Sequence, residues 1–275
     1  MKYTGLICRP PLEVYSYLLP VTEGCSYNKC RFCSLYSNIK FRLLTLEEIS
    51  ARLSKLNTIS RGIERVYLVG ADPLTLSINL LEEIITVIKK FLPRVQVISM
   101  NATIKNIKSK GERTLRRLKD LGVNDLYVEI ECGLDDVLKY FKKGNTVAAA
   151  HEQCLRLKFN EIRYAGLIKL GMAGAGRGGE CALATAELLN EISPDKILVD
   201  VLTNFPDAKF FEDIKTEKFI PARAKEMLIE EKILLENLNL PESYFWANNG
   251  VALVGYLGDS QTAMLEKLQR VIDAW

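Results

Sequence analysis

Residues 65–100 read RVYLVGADPLTLSINLLEEIITVIKKFLPRVQVISM and contain a complete strand–helix–strand unit. The apolar run Arg65–Val69 is typical of a strand that is buried on both faces, and Val95–Met100 repeats this pattern. Between them, Asn79–Phe91 carries apolar residues at helical spacing and stops before Pro93. This arrangement predicts a parallel β/α unit.

The same alternation continues on both sides of this unit, which makes six β/α units in a row. Such a series favours a parallel barrel or a doubly wound sheet, and in both architectures active sites lie at the carboxyl ends of the strands. The other predicted strands are Tyr15–Val21, Asp125–Ile130, Ile162–Leu170 and Lys196–Leu202. The other predicted helices run from a capping box at Thr45 to Leu56, and over Arg113–Leu121, Asp135–Phe141, Val147–Lys158 and Cys181–Ile192.

From about residue 206 the strand–helix alternation stops. Pro221 suits the first turn of a helix that reaches about Leu238, and Asp259 or Ser260 caps a last helix with an apolar stripe. We therefore predict a core domain over residues 1–205, with residues 206–275 as a helical extension packed on it.

Composition excludes several classes of protein. The 275 residues carry a formal net charge of +3, which does not predict nucleic-acid or membrane binding. No apolar run approaches the roughly 20 residues of a membrane-spanning helix, and Met1–Gly5 lacks the layout of a signal peptide. We expect a cytoplasmic protein whose seven cysteines are reduced. A histidine-based triad or zinc site would have only His151 available.

A cysteine cluster follows the first predicted strand, where residues 24–33 read GCSYNKCRFC. Cys25, Cys30 and Cys33 form a C-x4-C-x2-C motif that can reach a single iron–sulfur cluster or metal ion. A cubane with full thiolate ligation needs four cysteines, so three leave an iron with an open position. The remaining cysteines do not cluster, and we interpret them as small apolar side chains: Cys8, Cys132, Cys154 and Cys181.

This motif resembles that of the radical S-adenosylmethionine (radical SAM) superfamily, in a branch that has one residue more than the common C-x3-C-x2-C spacing. The resemblance implies an α/β fold with an incomplete (β/α)6 TIM-type barrel. It implies that Cys25, Cys30 and Cys33 hold a 4Fe–4S cluster whose fourth iron is chelated by S-adenosylmethionine. Reductive cleavage of that cofactor would give a 5′-deoxyadenosyl radical, which abstracts hydrogen from a substrate that the sequence does not identify.

Two further stretches resemble cofactor-binding motifs of the family. The turn Gly70-Ala71-Asp72-Pro73 is similar to a Gly-Gly-Glu-Pro motif whose backbone meets the amino group of the methionine moiety, although Ala71 and Asp72 depart from it. Taken alone, such a turn is also an ordinary loop. The stretch that begins at Glu129 is similar to the family's Glu-(Ser/Thr)-Gly segment, which implies that Glu131 accepts the ribose hydroxyls.

The resemblance assigns three more side chains to the cofactor. Lys143 matches a basic position that pairs with the methionine carboxylate, with Arg163 as a rival and a solvated surface lysine as the alternative interpretation. Ile168 matches an apolar residue that packs on adenine, although it also suits plain core, and Phe32 would cover the base. No catalytic residue is assigned beyond these contacts.

The implied partners are a reductant such as flavodoxin or ferredoxin and a small or macromolecular substrate, and the cluster implies sensitivity to oxygen. Two other interpretations stay open. The chain is a non-catalytic iron–sulfur or zinc-binding module, or it is a radical enzyme that modifies RNA, against which the mild charge weighs.

Overall fold

A computed structural model describes residues 7–56, 62–205 and 207–275, so the expectation about a signal peptide at Met1–Gly5 lies outside the described residues. The structure is α/β, as predicted. Its strands are β1 (Tyr17–Pro20), β2 (Thr22–Glu23), β3 (Arg42–Leu43), β4 (Arg65–Val69), β5 (Val97–Thr103), β6 (Val123–Glu131), β7 (Arg163–Leu170), β8 (Lys196–Val201), β9 (Tyr244–Asn248) and β10 (Ala252–Tyr256).

Helices separate most of these strands, which is the pattern of β/α units. They are α1 (Leu46–Leu53), α2 (Ile78–Phe91), α3 (Ile104–Lys108), α4 (Glu112–Leu121), α5 (Asp135–Tyr140), α6 (Val147–Phe159), α7 (Gly178–Ile192), α8 (Phe211–Lys215), α9 (Ala224–Glu236) and α10 (Leu257–Asp273). None of the helices in the described ranges has the length and apolar character needed to cross a bilayer.

One eight-stranded sheet has the order β1-β4-β5-β6-β7-β8-β9-β10, and β2 and β3 form a separate antiparallel pair. Pairing is parallel between β1 and β4, β4 and β5, β7 and β8, and β8 and β9. Strand order follows chain order, as expected for an incomplete β/α barrel. At the end of this sheet, β10 pairs with β9 in the antiparallel direction.

The six predicted strands are all present, with ends that shift by at most three residues, and Arg65–Val69 has the predicted bounds. The prediction for the C-terminal region was incomplete, because β9 and β10 accompany the expected helices there. In β9 buried residues alternate with half-buried ones, so it lacks the continuous apolar run that marked the other strands. Its strand conformation is stabilised by pairing with β8, from Lys196 opposite Tyr244 to Val199 opposite Ala247.

The chain forms two compact units. The first contains residues 1–28, 35–127 and 156–163, and the second contains residues 29–34, 128–155 and 164–275. In the first unit, Arg65 at the start of β4 forms an ion pair with the fully buried Glu13. Its Nη2 atom also lies 2.6 Å from Oδ2 of Asp125 in β6. These charges lie at the amino ends of the strands, which leaves the carboxyl ends for a site.

Candidate functional site

The cysteine motif lies in the loop between β2 and β3, and all three of its cysteines are half-buried. In the first unit, the backbone N–H of Asn28 donates to Cys25 Sγ at 3.3 Å. Asn28 has a left-handed φ of 44°, which asparagine tolerates better than most residues. In the second unit, the Cys33 N–H donates to the Cys30 carbonyl at 3.3 Å, which closes a tight turn.

The predicted Gly70–Asp72 turn follows β4, and its side chains support the start of the cysteine loop. Asp72 is 2% exposed, and its carboxylate accepts hydrogen bonds from Ser26 Oγ at 2.5 Å and from Asn106 Nδ2 at 3.2 Å. A side chain at Gly70 would collide with Thr22 Oγ1, so glycine is required there by a neighbouring residue of the fold. Ala71 is buried beside it.

Glu131 and Lys143 meet in the second unit, together with Glu129, which was not among the predicted site residues. Lys143 Nζ lies 2.7 Å from Glu131 Oε1 and 2.5 Å from Glu129 Oε2, with only 4% of the lysine side chain exposed. The interpretation of Lys143 as a solvated surface lysine was therefore wrong. Burial alone would lower the pKa of Lys143, but the two carboxylates raise it well above its ordinary value.

Glu131 is the last residue of β6 and adopts a left-handed φ of 73°. For a non-glycine residue this conformation is strained by about 1–3 kcal/mol, and such residues concentrate at functional sites. Gly133, two residues on, has no room for a side chain, because a Cβ would overlap the backbone of α7 at Ala184. Its N–H donates to Thr185 Oγ1 at 2.9 Å, which fixes the turn after Glu131.

Phe32 and Cys30 belong to the same environment as Lys143. The Phe32 ring is 9% exposed, packs edge-to-face on Phe141 with ring centres 5.6 Å apart, and has Lys143 Nζ 5.8 Å from its centre. Burial raises the pKa of the Cys30 thiol to about 12, an effect that Lys143 opposes. Without a metal this thiol keeps its proton, which binding to iron would displace.

The remaining predicted residues are Ile168, Arg163 and the four cysteines outside the motif. Ile168 is 3% exposed near the carboxyl end of β7, which agrees with both of its interpretations. Arg163 is exposed at the first residue of the same strand, at the end opposite to Ile168. Among the remaining cysteines, Cys132, Cys154 and Cys181 are buried, as expected for small apolar side chains, whereas Cys8 is half-buried.

Glu129 could have been found from the sequence, because residues i and i+2 of a strand share a face and Glu131 was already assigned. In contrast, no local pattern connects these carboxylates with Lys143, which lies in the turn after α5. Their proximity is a property of the fold.

The donor set of the loop fits an iron–sulfur cluster that lacks one protein ligand. It offers three thiols, with no histidine nearby in sequence to complete a four-ligand zinc site. Within the described ranges, no group of three or more His, Cys, Asp or Glu side chains is spaced to hold a single metal ion. Cys25 belongs to the first unit and the other two cysteines to the second, and their joint ligation stays a prediction.

Solved structures share the fold of this chain at low sequence identity. Methylornithine synthase (PylB) aligns with a TM-score of 0.60 and 17% identity over 84% of this chain and 63% of its own. The radical S-adenosylmethionine methyltransferase TsrM from Kitasatospora setae, solved with cobalamin and a [4Fe-4S] cluster, aligns with a TM-score of 0.59 and 16% identity over 74% of this chain and 39% of its own. HydG, a maturase of the [FeFe]-hydrogenase, aligns with a TM-score of 0.57 and 17% identity over 83% of this chain and 50% of its own.

The chain thus spans between about two fifths and just under two thirds of these proteins. No curated protein matches the sequence significantly. The sequence profile of the radical SAM superfamily matches residues 19–174, which is more than half of the chain and includes the cysteine loop, the Gly70 turn, Glu131, Lys143 and Ile168. The chain therefore belongs to the radical SAM superfamily of enzymes.

Proposed function

We propose that this protein cleaves S-adenosylmethionine reductively at a 4Fe–4S cluster and uses the 5′-deoxyadenosyl radical to abstract hydrogen from a substrate. The observation that carries the proposal is the C-x4-C-x2-C loop, which follows β1 and β2 and offers three half-buried cysteine side chains as ligands. Three ligands leave one iron open to a small molecule, as in catalytic rather than structural metal sites.

In this proposal the chain supplies ligands, orientation and exclusion of water. Cys25, Cys30 and Cys33 hold the cluster. Backbone at Gly70 and Ala71 contacts the methionine moiety, while the carboxylate of Asp72 holds the adjoining loop through Ser26. The buried Phe32 and Ile168 cover the adenine and keep solvent away from the reacting atoms.

Glu131 and Lys143 act as an oriented pair. Lys143 holds Glu131 through Oε1, which sets the carboxylate to receive the ribose hydroxyls. Lys143 also supplies positive charge for the methionine carboxylate, and its raised pKa keeps that charge in place at neutral pH. The strained backbone at Glu131 agrees with this role, because strain persists where surrounding structure holds a residue for function.

The reaction needs an electron, for which we propose a reductant such as flavodoxin or ferredoxin. A reducing compartment such as the cytoplasm would keep the thiols available for cluster assembly. The substrate is not identified by these residues, because fold and cofactor site are shared by enzymes of different activity.

The test is anaerobic reconstitution with iron and sulfide, followed by dithionite and S-adenosylmethionine. We expect iron–sulfur absorbance that changes on adding the cofactor, and formation of 5′-deoxyadenosine. Cys30→Ala should reduce 5′-deoxyadenosine to background, whereas Cys8→Ala, which changes a cysteine outside the motif, should retain the parent's yield. Zinc in place of iron, or equal yields from Cys30→Ala and the parent, would contradict the proposal.

A further inference from the structure

Arg31, between Cys30 and Cys33, is held through its backbone on both sides. Its N–H donates to the carbonyl of Phe141 at 2.9 Å, just after α5, and its carbonyl accepts from the N–H of Phe210 at 3.0 Å, just before α8. Both partners are fully buried. The main chain of the cysteine loop is thus tied to the segment that precedes α8.

The Arg31 side chain reaches the same segment. Its guanidinium forms an ion pair with Asp213 of α8 and lies 4.8 Å from the centre of the Tyr140 ring. Tyr140 Oη donates to the same carboxylate oxygen at 2.5 Å. The side chains of Arg31 and Asp213 are only 23% and 15% exposed, so the pair is better shielded from solvent than an ordinary surface ion pair.

Aromatic rings pack beside this ion pair. Phe141, Phe210 and Phe219 pack against one another with ring centres 5.2 to 5.8 Å apart, and Phe219 stacks on Tyr140 at 5.6 Å. Cys30 and Cys33 pack against the apolar cluster that contains Phe32, Phe141 and Phe210. A rigid apolar base of this kind keeps α8 in a fixed position relative to the loop.

We propose that Asp213 is a positioning residue for the cluster-binding loop, which it holds in place through Arg31 before iron is bound. The inference rests on the proposed function, because it assumes that Cys30 and Cys33 are ligands. A ligand loop ordered in advance loses less entropy on binding, and contacts behind the ligands set their geometry.

The experiment compares Asp213→Asn with Glu212→Gln in the full chain. Glu212 is the adjacent carboxylate of α8 and pairs with the exposed Lys215, so its variant is a matched control. In the metal-free chain we expect the amide of Arg31 to exchange roughly tenfold faster in Asp213→Asn, because the neutral amide oxygen still accepts a hydrogen bond from the guanidinium but lacks the charge that strengthens it. After reconstitution we expect faster iron loss to a chelator and an altered electron paramagnetic resonance spectrum of the reduced cluster.

Tyr140→Phe is a second, milder variant that keeps the test valid if Asp213→Asn fails to fold. It removes only the hydroxyl that donates to Asp213, so its effects should be smaller but of the same kind. If Asp213→Asn and Tyr140→Phe match Glu212→Gln in amide exchange, iron loss and spectrum, Asp213 does not position the loop. A parent chain that takes up no cluster would contradict the proposed function instead, while the amide exchange still tests whether Asp213 orders the loop.

Discussion

Lys143 lies in an environment that is unusual for a lysine. Its ammonium group is buried between Glu129 and Glu131, and both contacts are at hydrogen-bonding distance. A buried charge of this kind is tolerated only with a partner, because its removal from water costs several kcal/mol. The same residue therefore contributes to stability and to the proposed cofactor site.

Replacing Lys143 by methionine should destabilise the metal-free chain by about 3 kcal/mol, because the buried Glu131 and the half-buried Glu129 lose their counter-charge. The pKa of Lys143 in the folded chain is raised, so its contribution is present at neutral pH and is lost only as pH rises through that raised pKa. Urea unfolding at neutral pH measures the change. Lys139→Met, on the exposed side of α5, should cost under about 0.5 kcal/mol, and equal midpoints for the two variants would refute the prediction.

Among the elements, α9 is unusual because it buries two acidic side chains. Glu230 accepts the N–H of Gly171 at 2.9 Å, at the carboxyl end of β7, and Glu231 is fully buried and accepts from Asn249 at 3.2 Å. Burial raises the pKa of each carboxyl to about 7. A helix that begins at Pro221 and reaches about Leu238 was predicted here, and its buried acidic side chains were not.

These raised pKa values predict how stability varies with pH. At Glu230 and Glu231 the folded chain binds more protons than the unfolded chain between about pH 4.5 and 7, so the contribution of these two carboxyls to the free energy of unfolding falls as pH rises through that window. Between pH 5 and 8, the free energy of unfolding of Glu231→Gln should decrease by about 2 to 3 kcal/mol less than that of the parent chain. Chemical unfolding at several pH values measures it. The control is Glu236→Gln, at an exposed ion pair of the same helix; identical pH profiles for both variants would disprove the prediction.

On the scale of the whole molecule, residues 207–275 are more than an added pair of helices. They contribute β9 and β10 to the sheet, and α9 packs against α7. They belong to the same compact unit as β7 and β8. The predicted division at residue 205 is thus open to a direct experiment.

We expect that a chain truncated after residue 205 no longer unfolds cooperatively. In this fragment β8 would lack its paired strand β9, and α7 would lack the helix α9 that packs on it. Circular dichroism during heating and limited proteolysis measure this. Removal of the exposed Trp275 alone is the control and should leave the transition unchanged. A soluble 1–205 fragment with a sharp transition would support residues 1–205 as an independent domain.

Much of the fold follows from local pattern. Apolar runs and capping residues are properties of neighbouring positions, so Arg65–Val69 and the helix that follows it are recognisable in the sequence alone. The C-x4-C-x2-C motif is likewise contiguous, and its spacing alone predicts a loop that binds an iron–sulfur cluster or a metal ion. Contacts between residues that are distant in sequence are not visible in a local pattern. Lys143 contacts Glu129, and Arg31 contacts Asp213 although 182 positions separate them, because the folded chain brings these residues together. The same reason explains β9, whose conformation depends on the strand beside it rather than on its own pattern.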